Sequence, residues 1–325
     1  MTTPTDSIAW LGGHSVHAAK GPVALLLARL GDYMFGVSAV LWVLVTAALL
    51  WAVFRRRAPA EDPNDPARER RMQRVVTLAA TATVATLFVF LFLSYDTGRA
   101  MAGRPPGQPL QIRVTGHQWW WEVEYHDSLP QHQVTTANEI HVPVGTPVLF
   151  DLKSTDVNHS LWVPELGGKR DLIPGEENGL WFRADTAGIY RGQCAEFCGH
   201  QHAKMAFEVI AEPPPEFARW LVQQRDTAAT PTDPMARRGQ QVFVSSPCVM
   251  CHTIGGTTAG SRVGPDLTHL ASRRTLAAGT LPNNRGNLFG WITDPQAVKP
   301  GAKMPATILA PQDLAAVVAY LETLR

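Results

Sequence analysis

The chain has 325 residues, of which 45% are hydrophobic and 18% charged, against about 25% charged residues in an average soluble domain. Lys and Arg number 29 and Asp and Glu 28, so the net charge of +1 gives no electrostatic case for binding nucleic acid. The apolar content excludes a disordered chain, and four cysteines are too few for a disulfide-dense scaffold of this length.

Two uncharged runs near the N-terminus predict membrane spans. Residues 34–54 and 75–95 contain no Asp, Glu, Lys, Arg or His. A helix of that length covers about 30 Å of bilayer hydrocarbon at ~1.5 Å per residue. The alternative, a pair of buried helices in a soluble protein, is disfavoured because the uncharged runs are so long. We therefore predict a two-helix transmembrane hairpin over residues 34–95, preceded by an N-terminal tail over residues 1–33.

Arginines between the two runs predict the orientation of the hairpin. By the positive-inside rule this loop is cytoplasmic, so both termini and everything after residue 95 face the outer side of the membrane. Residues 23–30 do not resemble a cleaved signal, because they lack a basic start and contain Arg29. The loop arginines are Arg55, Arg56, Arg57, Arg68, Arg70, Arg71 and Arg74.

The region after the hairpin divides into a β part and a helical part. Alternating and apolar segments punctuated by Gly and Pro predict an all-β sandwich or barrel over residues 96–212. Residues 213–233 are expected to form a linker with a short amphipathic helix over residues 217–224. Helical periodicity then predicts an all-α domain over residues 234–325, ending in a helix over residues 311–324. The expected strands include residues 111–114, 146–152, 179–183 and 206–210.

Two thiols, two imidazoles and a thioether lie within residues 194–205. Sulfur combined with imidazole favours copper, zinc or iron–sulfur chemistry, and a thioether at a fixed offset favours copper. One alternative is a disulfide between Cys194 and Cys198 in an oxidising compartment. Another is that Met205 is an ordinary core residue. The joint pattern predicts a metal site.

This segment, Cys-Ala-Glu-Phe-Cys-Gly-His-Gln-His-Ala-Lys-Met, resembles the copper A loop of subunit II of the haem–copper respiratory oxidases. The likeness extends upstream to the segment that begins at Asp156, to Gly-His-Gln-Trp-Trp-Trp at residues 116–121 and to the N-terminal hairpin. It implies a cupredoxin-like fold and a dinuclear copper centre. Both cysteines would bridge the two coppers, each histidine would bind one copper, and the methionine and a glutamate carbonyl would be weak axial ligands. The implied ligands are His159, Cys194, Glu196, Cys198, His202 and Met205.

The resemblance also implies roles around the copper site. The Glu196 side chain would bind a magnesium ion at the boundary with subunit I, since a hard cation prefers oxygen ligands. Trp119 would be the aromatic residue at which electrons enter from a cytochrome, with packing as the alternative. Packing or a membrane-interface role is the preferred interpretation for Trp120 and Trp121. The family spacing selects His202, so His200 is expected to be a surface residue.

Cys248, Cys251 and His252 form the Cys-x-x-Cys-His pattern of covalent c-type haem attachment. A redox dithiol would need a thioredoxin-like context and a zinc ribbon a second Cys/His pair, and the sequence offers neither. Met304 lies in a Lys-Met-Pro segment that resembles the axial-ligand loop of class I cytochromes c, and His269 is the rival sixth ligand. Residues 264–267 resemble the loop that supports the proximal histidine.

Together these motifs resemble the caa-type cytochrome c oxidases, in which subunit II carries a fused cytochrome c. The resemblance implies that electrons pass from a cytochrome c donor, via the haem and the copper centre, to subunit I. There oxygen is reduced to water and protons are translocated. The implied partners are subunit I, other oxidase subunits, the donor and the lipid bilayer, with no nucleic acid. The alternatives are a copper-A nitric oxide reductase and a copper-delivery or redox-sensing membrane protein.

One position departs from the family pattern. Many members have a glutamate just before the second span, at the mouth of a proton channel, whereas this chain has Gln73. Because a neutral amide cannot carry a proton as a carboxylate does, proton entry on this path is expected to use a group from another subunit.

Overall fold

The computed structural model describes residues 14–55, 65–103, 105–127 and 129–325. The chain divides into two compact units, one of Leu25–Gly103 and one formed by Met1–Ala24 with Arg104–Arg325. Arg56 and Arg57, which contribute to the predicted orientation of the hairpin, lie outside the described residues.

Two long helices, α1 (Pro22–Phe54) and α2 (Pro66–Ala102), contain the two uncharged runs. Both are long and apolar enough to cross a membrane, and most of their large apolar side chains are exposed. Each helix extends beyond its uncharged segment, because charged residues can continue a helix where capping residues and helix propensity favour it. Asp65 caps α2 by accepting a hydrogen bond from the Ala67 amide at 2.9 Å, and Pro66 occupies the first turn.

The β region consists of two five-stranded sheets, and their apolar faces form one buried core that includes Trp121, Phe150 and Phe207. The first sheet contains, in spatial order, β3 (Val134–Ala137), β2 (Trp120–Tyr125), β1 (Leu110–His117), β5 (Val148–Ser154) and β8 (Asn178–Phe182). The second contains β4 (Glu139–Pro143), β10 (Ala206–Glu212), β9 (Gly188–Cys194), β6 (His159–Trp162) and β7 (Arg170–Leu172). Strands β1 and β5 are parallel, as are β4 and β10, and the other pairs are antiparallel. All four strands expected from the sequence are present, with shifted bounds.

The C-terminal region is helical around a second core. Its first and last helices pack together, and Gly239 allows this because a Cβ there would lie 1.9 Å from the Ala316 carbonyl oxygen. Phe243, Val317 and Tyr320 are buried at this contact. The elements are α4 (Pro234–Ser245), a small hairpin of β11 (Thr275–Leu276) and β12 (Leu281–Pro282), α5 (Arg285–Thr293), α6 (Pro295–Val298) and α7 (Pro311–Leu321).

The expected linker begins with a helix, α3 (Pro214–Gln223), that packs on the β sandwich. Phe217 and Trp220 lie on one face of α3, as their spacing of three residues requires. Phe217 is buried in the sandwich core, and the Trp220 ring stacks on His141 with centroids 4.0 Å apart and an interplanar angle of 10°. The first part of the predicted linker is therefore fixed to the sandwich by its apolar face.

The buried His141 under α3 predicts a pH-dependent contribution to stability. Burial alone would lower the pKa of His141, but Glu139 and Glu212 outweigh it and raise the pKa above its ordinary value. The histidine Nδ1 lies 3.2 Å from Glu212 Oε1. A raised folded-state pKa stabilises the protein below the unfolded value of about 6.5, and this stabilisation is lost as the pH rises through the folded value.

We therefore expect His141→Gln to lower the free energy of unfolding by about 1–3 kcal/mol at pH 6 and by less at pH 8. Thermal unfolding of the purified protein at both pH values measures the difference. An equal loss at the two pH values would show that the charge of His141 is not what stabilises this contact.

Candidate metal centres

The first candidate centre lies where β6, β9 and β10 meet. Cys194 ends β9, His159 begins β6, and these two strands are paired so that Leu161 lies opposite Cys194. The loop from β9 to β10 returns through a 3-10 turn, His202–Lys204, and Met205 directly precedes β10. The Cys194 amide donates to the Met205 carbonyl at 2.9 Å, which closes the base of the loop. Two strand ends and one loop therefore bring the predicted ligands together.

The predicted donor atoms surround the two cysteine sulfurs. Cys194 Sγ lies 3.9 Å from His159 Nδ1 and 3.2 Å from the Glu196 carbonyl oxygen. Cys198 Sγ lies 3.7 Å from His202 Nδ1 and 3.8 Å from Met205 Sδ. The two sulfurs are 3.8 Å apart, and both cysteines are free, so the disulfide alternative is not realised. Each sulfur thus has one imidazole nitrogen and one weak donor beside it.

The chemistry of this donor set fits a soft metal. His159, Cys194, Cys198 and Met205 are all at most 3% exposed, while His202 is half-buried. The hydrogen bond with Cys198 and the contact with His159 lower the pKa of Cys194, so one thiolate forms readily. Ionising the second thiol beside the first is unfavourable, and this raises the pKa of Cys198. Bound cations would relieve that repulsion, because a coordinating thiol is deprotonated outright.

Asp156 and Gly116 position His159, and the sequence analysis assigns no role to either residue. Asp156 Oδ1 lies 2.9 Å from His159 Nε2, which leaves Nδ1 facing the sulfur. A Cβ at position 116 would lie 2.7 Å from His159 Cδ2, so only glycine leaves room for the ring. A carboxylate three residues before a ligand histidine was the available signal for Asp156, whereas the role of Gly116 depends on contact between strands.

Trp119 lies directly against the loop of residues 194–205, called the copper loop below after its predicted role. Its Nε1 donates to the Cys198 carbonyl at 2.9 Å, and Gln118 Nε2 donates to the same oxygen at 2.8 Å. Trp121 is fully buried in the core, as expected, and Trp120 stacks on a neighbouring histidine. His200 is exposed, in agreement with its expected surface position.

The side chain of Glu196 is the predicted magnesium ligand. The cluster of close ligand atoms found among the described residues consists of His159, Cys194 and Cys198. It includes neither the Glu196 carboxylate nor His202, although His202 Nδ1 lies 3.7 Å from Cys198 Sγ. Glu196 is half-buried, and its carbonyl is the atom that approaches the centre. The magnesium role of the side chain stays a prediction.

The second candidate centre lies at the start of the helical domain, around His252. Cys248 and Cys251 are half-buried free thiols, and Cys248 lies in a 3-10 turn, Pro247–Met250. The His252 amide donates to the Cys248 carbonyl at 3.0 Å. His252 Nδ1 lies 2.7 Å from the Pro265 carbonyl, which can only accept, so Nδ1 carries the proton and Nε2 is the available ligand atom. Desolvation lowers the pKa of His252 and favours the neutral ring, the form that can bind a metal.

The surroundings of His252 fit a haem ligand. Residue 264 must be glycine, because a Cβ there would lie 2.8 Å from His252 Cε1. Met304 is half-buried against the helical core, and its carbonyl accepts a hydrogen bond from Gln296 Nε2 at 3.0 Å. The rival His269 is buried, and its Nε2 lies 3.2 Å from the Asp226 carbonyl, so that nitrogen is engaged as a donor. His269 Nδ1 is buried without a hydrogen-bond partner among the described residues, so the assignment of Met304 over His269 as the sixth ligand stays a prediction.

Comparisons with known proteins agree with both centres. Residues 129–212 match the family described as cytochrome c oxidase subunit II, periplasmic domain, and residues 236–325 match the cytochrome c family. The chain is 36% identical to cytochrome c oxidase subunit 2 of Alkalihalophilus pseudofirmus, over 85% of this chain and 80% of that one. It is also 36% identical to the subunit 2 of Bacillus sp. strain PS3, over 66% of this chain and 62% of that one. The crystal structure of the periplasmic domain of subunit II (CoxB) of Bradyrhizobium japonicum is similar at 32% identity and a TM-score of 0.35, covering 37% of this chain and 96% of that one.

Proposed function

Because the chain belongs to the family of cytochrome c oxidase subunit II, we propose that it is the subunit at which electrons enter a terminal respiratory oxidase. It would accept electrons from a cytochrome c donor and deliver them to subunit I, where oxygen is reduced to water and protons are translocated. The observation that supports this most directly is the arrangement of the two free cysteine sulfurs. Each has an imidazole Nδ1 within 4 Å, and a haem-attachment motif follows in the same chain.

The residues proposed to bind copper would differ in how strongly they bind it. Cys194, Cys198, His159 and His202 would hold the copper as its strong ligands, and Met205 with the Glu196 carbonyl would bind weakly. The side chain of Glu196 would contribute to a magnesium site shared with subunit I. A buried and tightly packed donor set restrains ligand movement when the charge changes, which is what fast electron transfer requires. Bound there, copper would supply reversible one-electron chemistry, as haem would in the helical domain.

The helical domain would bind its haem through both thiols and one imidazole. Cys248 and Cys251 would form the covalent bonds, and His252 would bind iron through Nε2, with its ring held by the Pro265 carbonyl. Met304 would also hold the haem iron, through a thioether that raises the potential of the haem. Trp119 would connect the copper loop to the incoming electron, since its indole is hydrogen-bonded to the Cys198 carbonyl.

The membrane arrangement follows from the helices and the family. The protein is a membrane protein with a periplasmic domain, by its two apolar helices and its relatives. We further propose that the arginine-rich segment at the start of α2 is cytoplasmic and that both termini lie on the periplasmic side of the bacterial inner membrane. The bilayer, subunit I and further oxidase subunits would be its partners.

The choice of oxygen as final acceptor is tested with membranes that lack this chain. Restoring the wild-type chain is expected to restore oxygen uptake driven by reduced cytochrome c, and the Cys194→Ser chain is not. Nitric oxide consumption without oxygen uptake would assign the chain to a nitric oxide reductase. Full oxygen uptake with Cys194→Ser would contradict the proposed role of the copper site.

Met205→Leu is expected to retain the fold and much of the copper. Met205 is 1% exposed, and a swap of similar volume costs less than about 1.5 kcal/mol of stability. The copper potential is expected to shift and onward electron transfer to slow, because an axial ligand tunes the potential. Potentiometric titration with copper analysis measures both effects. An unchanged potential would remove Met205 from the ligand set.

A further inference from the structure

The sandwich and the helical domain meet in a polar interface within one compact unit. The Ala206 amide at the start of β10 donates to the Ala278 carbonyl at 3.0 Å. Arg274 Nε donates to Glu208 Oε2 at 2.9 Å, and this carboxylate is almost fully enclosed. A buried carboxylate needs such a partner, and here the helical domain supplies the guanidinium that pairs with the carboxylate of the sandwich. The two domains are therefore built to stay in contact.

Two consecutive backbone positions at this interface have unusual geometry. Ala277 and Ala278 have φ angles of 53° and 57°, in the left-handed region that residues other than glycine rarely adopt. The carbonyl oxygens of both residues accept hydrogen bonds at or beside the interface between the two domains. Ala278 receives the Ala206 amide, and Ala277 accepts from Lys299 Nζ at 3.1 Å. The strain is compatible with a turn that directs carbonyls into the interface.

Lys299 is the most enclosed cation of this contact. Its side chain is 3% exposed, and Nζ also donates to the Trp119 carbonyl at 2.8 Å. Both of these acceptors are uncharged carbonyls, so the amine lacks the strong compensation of an ion pair, and burial lowers its pKa to about 7. An apolar side chain would be less costly to bury, which indicates that the amine is retained for the atoms it joins.

The atoms that Lys299 joins lie between the two candidate centres. On one side Trp119 donates to the carbonyl of Cys198 through its indole at 2.9 Å. On the other side the loop that begins at Lys299 carries Met304. Its Gly301 backbone lies against the Trp119 ring, since a Cβ there would be 3.8 Å from Cη2. A third contact, from Gln201 Nε2 to the Pro300 carbonyl at 2.7 Å, joins the copper loop to the same segment.

We propose that Lys299 is a positioning residue that fastens the Met304 loop to the backbone of Trp119 and so fixes the separation of the two metal-binding domains. This inference rests on the proposed function and names the residue on which transfer within the chain depends. It also means that the chain's own helical domain lies against one edge of the half-buried Trp119 ring. An external donor would then reduce the helical domain rather than dock on Trp119.

The test compares the purified oxidase containing Lys299→Met with wild type and with Lys153→Met, a control that removes a half-exposed lysine paired with Glu177. After flash reduction of the haem, transfer to copper is expected to slow about tenfold or more in Lys299→Met, since small misplacements of reacting partners carry large rate penalties. The decrease in the electron-transfer rate should be larger than any change in the haem and copper midpoint potentials of the variant would produce. Amide hydrogen exchange of residues 298–303 should rise, with copper and haem content unchanged, while Lys153→Met matches wild type.

If Lys299→Met showed the wild-type rate of electron transfer from haem to copper and wild-type amide hydrogen exchange at residues 298–303, the inference would be overturned. Slowing accompanied by loss of haem or copper, or by raised exchange throughout the domain, would also overturn it, because that pattern belongs to a residue needed only for folding. A wild-type protein without two coppers and a haem contradicts the proposed function itself, and the content assay identifies that result separately.

Discussion

Cys198→Ser is expected to abolish the copper centre and to stop electron delivery to the oxidase. The Cys198 sulfur has three donor neighbours, Cys194 Sγ, His202 Nδ1 and Met205 Sδ, all between 3.7 and 3.8 Å away. A hydroxyl is a hard donor and does not replace a thiolate shared by two soft ions. Copper affinity should fall by more than about 100-fold, since loss of outer-shell partners alone costs 10–100-fold.

Copper content and electron paramagnetic resonance of the purified variant measure this effect. His200→Ala is the matched control, because His200 lies on the same loop but is exposed. It should retain wild-type copper. If Cys198→Ser kept a mixed-valence signal, the assignment of Cys198 as a bridging ligand would be wrong.

Met304→Ala is expected to leave the haem covalently attached while lowering its potential and opening the iron to external ligands. Attachment depends on Cys248 and Cys251, and His252 remains held by the Pro265 carbonyl, so the proximal side is unaffected. Loss of the thioether should lower the potential by about 0.1 V or more, a fraction of the ~0.8 V over which axial ligands tune haems.

Redox titration and carbon monoxide binding to the reduced variant measure these changes. Met235→Ala serves as the control, since this methionine is exposed on α4. An unchanged spectrum and potential in Met304→Ala would place the sixth ligand elsewhere. His269→Gln would then be the next variant, although His269 Nε2 is engaged with the Asp226 carbonyl.

The two candidate centres could be proposed from the sequence because their chemistry is local. Residues 194–205 supply four of the five proposed copper-ligand side chains in one loop, and the haem-attachment motif occupies five consecutive residues. The ends of α1 and α2 were less predictable. The absence of charge marks the part of a helix that lipid can cover, whereas caps such as Asp65 determine where a helix begins.

The features that the sequence did not predict depend on contacts distant along the chain. Gly116 and Asp156 act through His159, and only the folded sandwich brings Gly116 to that ring. The docking of α3 on His141 likewise depends on a strand far from the helix. Nothing in the sequence around Lys299 indicates that this lysine is buried, and its burial between the two domains is seen only in the structure.

We propose that this one chain holds both a dinuclear copper centre and a covalent haem. Metal and haem analysis of the purified protein, combined with electron paramagnetic resonance, tests it most directly. We expect two coppers sharing one unpaired electron and one covalent haem per chain. A single copper with the spectrum of an isolated ion would contradict it and would favour copper delivery or redox sensing.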